Sequence, residues 1–269
     1  MDVERLAGGK LLLDRPAEAV ARLRIANPER RNALDHEILD AIAETLRRLD
    51  RGIETRCVMI TGEPPVFSAG YDITTIPEQT FERDAEALVA HPFHAAMEAI
   101  SRHPWPTVAA INGHCLGGGL ELAVSCDLRI CAAGAELGMP PARLGLIYGH
   151  TGLRKFLDTV GLARTKELFL TGRNLDAVRA ERIGLVNEVV ADERLEAEAV
   201  ALAGLIAANA PLSMRGNKSA IDLLNSNPVL SDQQEAGLLA LRESCFASED
   251  LREGIRAFVE KRRPRWTGR

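Results

Sequence analysis

Short apolar runs that end at turn residues recur along the first two thirds of this chain, with helical patterns between them. Residues 57–60 and 108–111 have the length of buried strands, and each run is followed by a polar residue and a glycine. Residues Leu128–Ala132 repeat the pattern, and Val20–Ile25 alternates apolar and basic residues. Because strands separated by helices pair mainly in parallel through crossover connections, the pattern predicts an α/β fold.

From residue 195 onward the pattern becomes helical. Helices are predicted over residues 195–209, 212–224, 233–244 and 251–260. The pair Ser231 and Gln234 is typical of a capping box at the start of the third of these helices. We therefore predict two parts: residues 1–195 form an α/β core, and residues 196–269 form a helical C-terminal region.

An earlier helix is predicted after the polar turn at residues 27–32. Apolar side chains at helical spacing follow this turn, namely Leu34, Ile38, Ile42, Leu46 and Leu49. Asn32 stands just before them, and asparagine is a favoured N-cap residue. The sequence therefore predicts that Asn32 caps this helix.

Composition limits the kinds of partner that the chain can bind. Of its 269 residues 46% are hydrophobic and 26% are charged, which is typical of a folded globular protein. The net charge of −5 gives no electrostatic support to a nucleic-acid partner. The acidic start lacks the pattern of a signal peptide, and the longest uncharged stretches fall short of a membrane span of roughly 20 residues. We expect a cytoplasmic protein without nucleic-acid or membrane partners.

The five cysteines favour core packing in a reducing compartment over metal binding or disulfide formation. They form no Cys-x-x-Cys pair and their number is odd. His91 and His94 have the spacing of neighbours on one helix face, but Pro92 lies between them and no third ligand stands at a recognisable distance. We therefore predict no metal site.

Two glycine-containing segments are the main candidates for a binding site. Residues 66–73 place Ala-Gly after a strand-like run, and residues 112–121 contain three consecutive glycines at a predicted helix start. Backbone N–H groups are accessible at such turns, and a helix N-terminus favours negative charge. Neither segment matches a dinucleotide or nucleoside triphosphate motif. Two loops that each offer one N–H group suit an oxyanion, while tight packing of the helix is the structural alternative for the glycines.

These segments resemble motifs of the crotonase (enoyl-CoA hydratase/isomerase) superfamily. Asn27-Pro28 with residues 31–34 resembles its opening motif, residues 67–73 resemble its first oxyanion loop, and residues 116–121 with Cys126-Asp127 resemble its second. The resemblance extends over essentially the whole chain. It implies a spiral of ββα units with a C-terminal helical trimerisation region, assembled as a homotrimer or homohexamer. It also implies an acyl-CoA substrate and no cofactor other than the coenzyme A that the substrate carries.

The resemblance further implies roles for individual residues. The amides of Tyr71 and Gly118 would bind the thioester oxygen, as expected of an oxyanion hole. The residues expected to line the coenzyme A groove are Arg31, Ala33, Ser68, Ala69 and Asp72. Hydratases of this family use two glutamates. Glu121 corresponds to the first, whereas Pro141, which has no proton to exchange, stands at the place of the second.

The sequence leaves three hypotheses for the activity. Residues 144–153 resemble the methylmalonyl-CoA decarboxylase branch, which has a tyrosine where Tyr148 stands but a histidine where this chain has Tyr71. The first hypothesis is therefore a lyase that decarboxylates a malonyl- or methylmalonyl-type thioester, with Tyr148 hydrogen-bonding the substrate carboxylate or donating the proton. The alternative is an enoyl-CoA hydratase or isomerase that acts through Glu121. The third is a non-catalytic acyl-CoA-binding scaffold.

Overall fold

Two β-sheets form the framework of the computed structural model, which describes residues 3–72, 92–227 and 229–269. The larger sheet contains β1 (Glu4–Leu6), β2 (Leu11–Ala17), β3 (Val20–Ile25), β4 (Cys57–Gly62), β6 (Thr107–Ile111), β8 (Leu128–Ala132) and β11 (Glu188–Val190). The smaller sheet contains β5 (Val66–Ser68), β7 (His114–Leu116), β9 (Glu136–Gly138) and β10 (Leu175–Asp176). Their strand orders are β1-β2-β3-β4-β6-β8-β11 and β10-β9-β7-β5.

Helices connect and cover these strands. In chain order they are α1 (His36–Leu49), α2 (His94–Ser101), α3 (Gly118–Ser125), α4 (Pro141–Leu144), α5 (His150–Thr171), α6 (Ala177–Arg182), α7 (Leu195–Ala207), α8 (Pro211–Ser226), α9 (Asp232–Ala247) and α10 (Glu249–Val259). The long helix α5 is interrupted at Gly161, which has a φ of 74°. This mixed α/β architecture with a helical C-terminal region confirms the fold class predicted from the sequence.

The central strands of the larger sheet pair in parallel, as their separation by helices predicted. β3, β4, β6, β8 and β11 are all parallel neighbours. Every residue of β4 and β6 is buried, which explains why their sequences are continuous apolar runs rather than alternating ones. The predicted strands at residues 57–60 and 108–111 are therefore confirmed, and each extends by one or two residues.

Parallel pairing in the smaller sheet positions the two glycine segments. β5 and β7 are adjacent, with Val66 opposite His114 and Ser68 opposite Cys115. Because parallel strands end at the same edge of a sheet, the loop that follows β5 lies beside the loop that follows β7. The first loop contains Gly70 and Tyr71, and the second leads directly into α3.

The prediction that Asn32 caps the first helix is wrong. Helix α1 begins at His36, and the Asp35 side chain accepts the hydrogen bond from the Ile38 amide. Asn32 is instead buried with a positive φ of 55°, and its side-chain amide donates to the carbonyl oxygens of Glu63 and Val66. Both residues have the short polar side chain that a cap requires, so composition alone could not separate them.

The predicted C-terminal helices are all present, with bounds that differ by a few residues. The capping box at the start of α9 is confirmed, because Ser231 and Gln234 exchange side-chain-to-backbone hydrogen bonds. Helix α7 packs against β3, β4, β6 and β8 of the larger sheet. The division of the chain into residues 1–195 and 196–269 stays a prediction.

Four of the five cysteines lie within the core, as expected of small apolar residues. Cys57, Cys115, Cys126 and Cys131 are buried free thiols, and Cys245 is half-buried. Burial raises the pKa of the Cys57 and Cys126 thiols to about 12. In the described ranges no single helix has the length and apolarity of a membrane span, although helices 192–207 and 211–226, bent by 101°, pass that test as a pair.

Replacing Asn32 by alanine should lower the free energy of unfolding by about 3 kcal/mol, since the carbonyl oxygens of the half-buried Glu63 and Val66 lose their donor and the Asn27 amide loses its acceptor. Urea denaturation followed by circular dichroism measures this change. Asn217→Ala, on the exposed face of α8, is the matched control and should change stability by less than about 0.5 kcal/mol. Equal effects of the two substitutions would contradict the structural role assigned to Asn32.

Candidate active site

The loop after β5 and the start of α3 are in direct contact. A Cβ atom added to Gly70 would lie 3.0 Å from the Gly118 nitrogen, and one added to Gly118 would lie 3.5 Å from the Tyr71 nitrogen. Below them, a Cβ on Gly119 would lie 2.7 Å from the Ser68 carbonyl oxygen. A side chain at these positions would collide with neighbouring backbone or ring atoms, so the structure shows that the glycines serve close packing.

The local hydrogen bonds orient the Tyr71 amide toward α3. The Leu34 amide donates to the Gly70 oxygen, and the Leu34 oxygen accepts from the Asp72 amide. Leu34 and Tyr71 thus form a parallel bridge in which the N–H group of Tyr71 faces away from Leu34. A Cβ built on Gly118 would lie 3.5 Å from the Tyr71 nitrogen, so the backbones that carry the two predicted amides are close neighbours.

The first turn of α3 supplies the second amide. Gly117 precedes the helix with a φ of 53° and a ψ of −123°, a conformation that glycine adopts without strain. The amides of Leu120 and Glu121 bond back to the Gly117 oxygen, whereas Gly118 stands at the first helical position, whose N–H has no acceptor within the helix. The positive end of the helix dipole lies here and favours an anionic oxygen.

Aromatic side chains enclose one side of this region. The ring of Phe93 would approach a Cβ on Gly118 to 3.1 Å, and it contacts the Tyr71 ring with centroids 5.2 Å apart. Phe93 is buried. Such an apolar wall excludes water and strengthens a hydrogen bond from an amide to a developing negative charge.

Glu121 lies three residues after Gly118, one turn into α3, and is only 4% exposed. The Tyr148 hydroxyl donates a hydrogen bond of 2.5 Å to its Oε2 atom. Gly152 of α5 packs on the same group, since a Cβ there would lie 2.7 Å from that Oε2. Burial raises the pKa of Glu121, while the hydrogen bond from Tyr148 and the positive charges of Lys155 and His94 oppose this rise.

Tyr148 is held in place by its ring as well as by its hydroxyl. The ring packs edge-on against Phe169 at 5.4 Å, and Phe169 packs in the same way against Phe156 at 5.1 Å. Burial and the neighbouring Glu121 carboxylate raise the pKa of the Tyr148 phenol well above its ordinary value. The phenol therefore keeps its proton and donates it in the hydrogen bond, so that Glu121 accepts.

Pro141 occupies the first position of the short helix α4 and is buried. The corner that it forms with Pro140 lies next to the second loop, because a Cβ on Gly117 would reach the Pro140 ring at 4.0 Å. Pro141 offers neither a carboxylate nor an N–H group at this position. Of the two positions at which a hydratase of this family is expected to carry a glutamate, only that of Glu121 therefore provides a carboxylate.

The five residues expected to line the coenzyme A groove cluster around the first loop. The Ala69 amide donates to the Arg31 oxygen, and both residues are exposed. Ala33 and Asp72 are buried. Ser68 is fully buried, and its hydroxyl donates to the Asn32 oxygen and accepts from the Gly70 amide, so that its side chain supports the loop from within. The groove itself stays a prediction for all five.

The histidine pair considered for metal binding is only partly described. His94 is exposed at the start of α2, and His91 lies outside the described residues. Within the described ranges no group of three or more His, Cys, Asp or Glu side chains is arranged to hold a metal ion.

Neither Lys155 nor the close approach of Gly152 to Glu121 was predicted from the sequence. Both lie on α5, three residues apart and thus on one face. Lys155 is half-buried behind Glu121, where its ammonium group bonds to Ser101 and Ser125. A lysine one turn after a glycine and next to Phe156 was the available signal, but a lysine in such a pattern normally marks an exposed face.

Comparisons with known proteins identify relatives over nearly the whole chain. Residues 15–269 match the family described as enoyl-CoA hydratase/isomerase. A protein of Bacillus subtilis named "Probable enoyl-CoA hydratase" is 39% identical over 251 residues, covering 93% of this chain and 95% of its own length. The short-chain-enoyl-CoA hydratase of Clostridium acetobutylicum is 33% identical, with 91% and 92% covered. The crystal structure of an enoyl-CoA hydratase from Bacillus anthracis has a TM-score of 0.85 at 32% identity, covering 97% of this chain and all of that chain.

Tyr148→Phe should raise the pKa of Glu121 by about one pH unit, because it removes a hydrogen bond that stabilises the ionised carboxylate. The protonated-carboxyl band in pH-difference infrared spectra measures the titration, and Glu121→Gln identifies the band by its loss. Tyr71→Phe is the matched control, since Tyr71 is not among the groups that act on the Glu121 pKa. An unchanged or lowered pKa in Tyr148→Phe would refute the assigned hydrogen bond.

Proposed function

Because this chain belongs to the enoyl-CoA hydratase/isomerase family of the crotonase superfamily, we propose that it transfers protons at the α-carbon of an unsaturated acyl-CoA through Glu121. Its relatives indicate that the chain is an enzyme. The single observation that carries the proposal is the buried Glu121 carboxylate, which lies one turn after Gly118 on the helix that packs against the Tyr71 loop. This corresponds to the alternative that the sequence left open, and the names of the relatives favour it over decarboxylation.

The proposed oxyanion site uses the amides of Tyr71 and Gly118. The thioester oxygen would accept both hydrogen bonds, which strengthen as negative charge develops on it. Each such donor contributes about 3 kcal/mol to the stabilisation of the transition state. The proposed chemistry needs no cofactor besides the coenzyme A of the substrate.

Glu121 serves as the acid–base group in this proposal. The Tyr148 hydrogen bond engages Oε2, and among the described residues no hydrogen bond engages Oε1, which leaves that atom for the substrate. Because burial raises the pKa of the carboxyl group, its conjugate acid can also return a proton. One carboxylate can therefore take a proton from one carbon and deliver it to another.

A double-bond shift needs only this one group. The α-carbon of a β,γ-unsaturated thioester loses its proton to Glu121, and the electron pair of that C–H bond forms the enolate. The γ-carbon then takes the proton from Glu121 while the double bond moves to the α,β position. Hydration also uses Glu121, which would accept a proton from the attacking water and supply one to the α-carbon. Both reactions balance without an oxidant or a second substrate other than water.

Decarboxylation receives less support from the same contacts. The first hypothesis assigned Tyr148 to the carboxylate or the carbanion of a malonyl-type substrate. In the structure its hydroxyl is engaged with Glu121. A substrate carboxylate bound near Glu121 would also meet a like charge in a poorly solvated site, which is unfavourable.

Glu121→Gln should lower kcat for enoyl-CoA turnover about 1,000-fold, because it removes the proton acceptor but keeps the shape of the side chain. Crotonyl-CoA hydration and the isomerisation of a 3-enoyl-CoA are each measured from the conjugated double bond by absorbance. Tyr148→Phe is the comparison variant and should retain most of kcat near neutral pH. Release of CO2 from malonyl- or methylmalonyl-CoA, with no turnover of either enoyl substrate, would overturn the proposal in favour of decarboxylation.

We also propose that the chain works as a homotrimer or homohexamer. Apolar side chains on α10 are exposed in the single chain: Ile255 by 59%, Phe258 by 85% and Val259 by 74%. Such a patch is typical of a surface that another copy covers. The expected cytoplasmic location stays a prediction.

Light scattering coupled to size exclusion should give three or six times the chain mass of 29.2 kDa. Phe258→Asp should shift this mass toward that of the single chain, because the substitution puts a charge into the apolar patch. Arg252→Asp introduces the same carboxylate at an exposed polar position of α10, with a larger change in net charge, and should leave the mass unchanged. A monomeric parent protein at micromolar concentration would refute the proposed assembly.

A further inference from the structure

Lys155 lies behind Glu121, at the contact between α3 and α5. It follows Gly152 by three residues and therefore shares the helix face on which Gly152 meets the Glu121 carboxylate. Its ammonium group donates hydrogen bonds of 2.7 Å to the hydroxyls of Ser101 and Ser125, and one of 3.3 Å to the Met97 oxygen. The side chain is thus anchored on two other helices.

Ser125 connects this ammonium group to the backbone of Glu121. The two residues are four positions apart on α3, and the Ser125 hydroxyl donates to the Glu121 carbonyl oxygen at 2.8 Å. The same hydroxyl accepts from Lys155. Two successive contacts therefore join α3 to α5, one through Gly152 and the carboxylate, and one through Lys155 and Ser125.

Within the described residues, the positive charge of Lys155 forms no direct ion pair. All three of its hydrogen bonds within the described ranges go to uncharged oxygen atoms. Burial lowers the pKa of Lys155, and the negative charge of Glu121 is the largest influence that opposes this lowering. Each group therefore favours the charged form of the other in a poorly solvated region.

We propose that Lys155 is a positioning residue for Glu121, which fixes the α3 turn through Ser125 and supplies a positive charge that favours the carboxylate form of Glu121. This inference rests on the proposed function, because an ionised Glu121 is the form that accepts a proton from substrate. It adds a buried cation to a site that otherwise consists of amides, a phenol and a carboxylate.

Other charged or titratable groups face the same contact. On α2, His94 lowers the pKa of Glu121, and Glu98 raises the pKa of Lys155. Tyr148 donates a hydrogen bond to Glu121, and Cys126, which follows α3, raises the pKa of Lys155. His94 is exposed, so its positive charge is screened by solvent far more than that of Lys155. Lys155 is therefore the cation whose removal changes the environment of Glu121 most.

The test compares the pH profiles of kcat/KM for Lys155→Gln and Lys155→Arg. Glutamine keeps a donor for Ser101 and Ser125 but removes the charge, so the pKa of Glu121 rises and the acid limb moves up by about one pH unit. Arginine keeps the charge, so its acid limb should stay within about 0.3 pH unit of that of the parent enzyme. Lys166→Gln, at an exposed position of the same helix, is the control for a general loss of charge.

An acid limb at the parent position in Lys155→Gln would overturn the inference, since a purely structural lysine would alter stability and not this limb. Lys155→Met fills similar space without a charge and should shift the acid limb in the same direction. It replaces the glutamine variant if that variant does not fold. The infrared titration of Glu121 in the same variants reads the pKa without turnover. An enzyme inactive on enoyl-CoA whose Glu121 titration still shifts with Lys155→Gln would refute the proposed function and leave the electrostatic role of Lys155 intact.

Discussion

Parallel pairing of β5 with β7 is the constraint on which the candidate site depends. It brings two loops that are about 45 residues apart in the chain to the same edge of a small sheet. One loop carries the Tyr71 amide, and the other opens α3 at Gly118. The close packing of Gly119 on Ser68 then fixes the distance between them, because any larger residue at either point would separate the loops.

The carboxylate on α3 shows how a buried charge is made tolerable. The Oε2 atom of Glu121 accepts a hydrogen bond from the Tyr148 hydroxyl. Lys155 bonds to Ser125, one turn further along the same helix, and Ser125 bonds to the carbonyl oxygen of Glu121. Burial pushes the pKa of Glu121 up, while these neighbours push it down. Opposing influences of this kind bring a carboxyl group toward a pKa at which it can both accept and donate a proton.

The sequence predicted the parts of this arrangement that depend on pattern. The apolar runs predicted the central strands, and the Ala-Gly pair and the three consecutive glycines predicted the two loops. The predicted start of α3 placed Glu121 in its first turns. The sequence could not choose between Asn32 and Asp35 as the helix cap, because the choice depends on which buried carbonyl groups lie nearby. Nor could it reveal that Tyr148 turns toward Glu121, or that Lys155 points inward, since both follow from how α5 packs on α3.

The missing side chain of Gly152 has a consequence for any attempt to reshape this enzyme. A methyl group there would collide with both the Tyr148 ring and the Glu121 carboxylate, at 2.6 Å and 2.7 Å. A side chain at position 152 would therefore have to displace one of these two groups. Changes in the size of this region are better made at Phe93 or Tyr71, whose rings pack 5.2 Å apart on the Gly118 side.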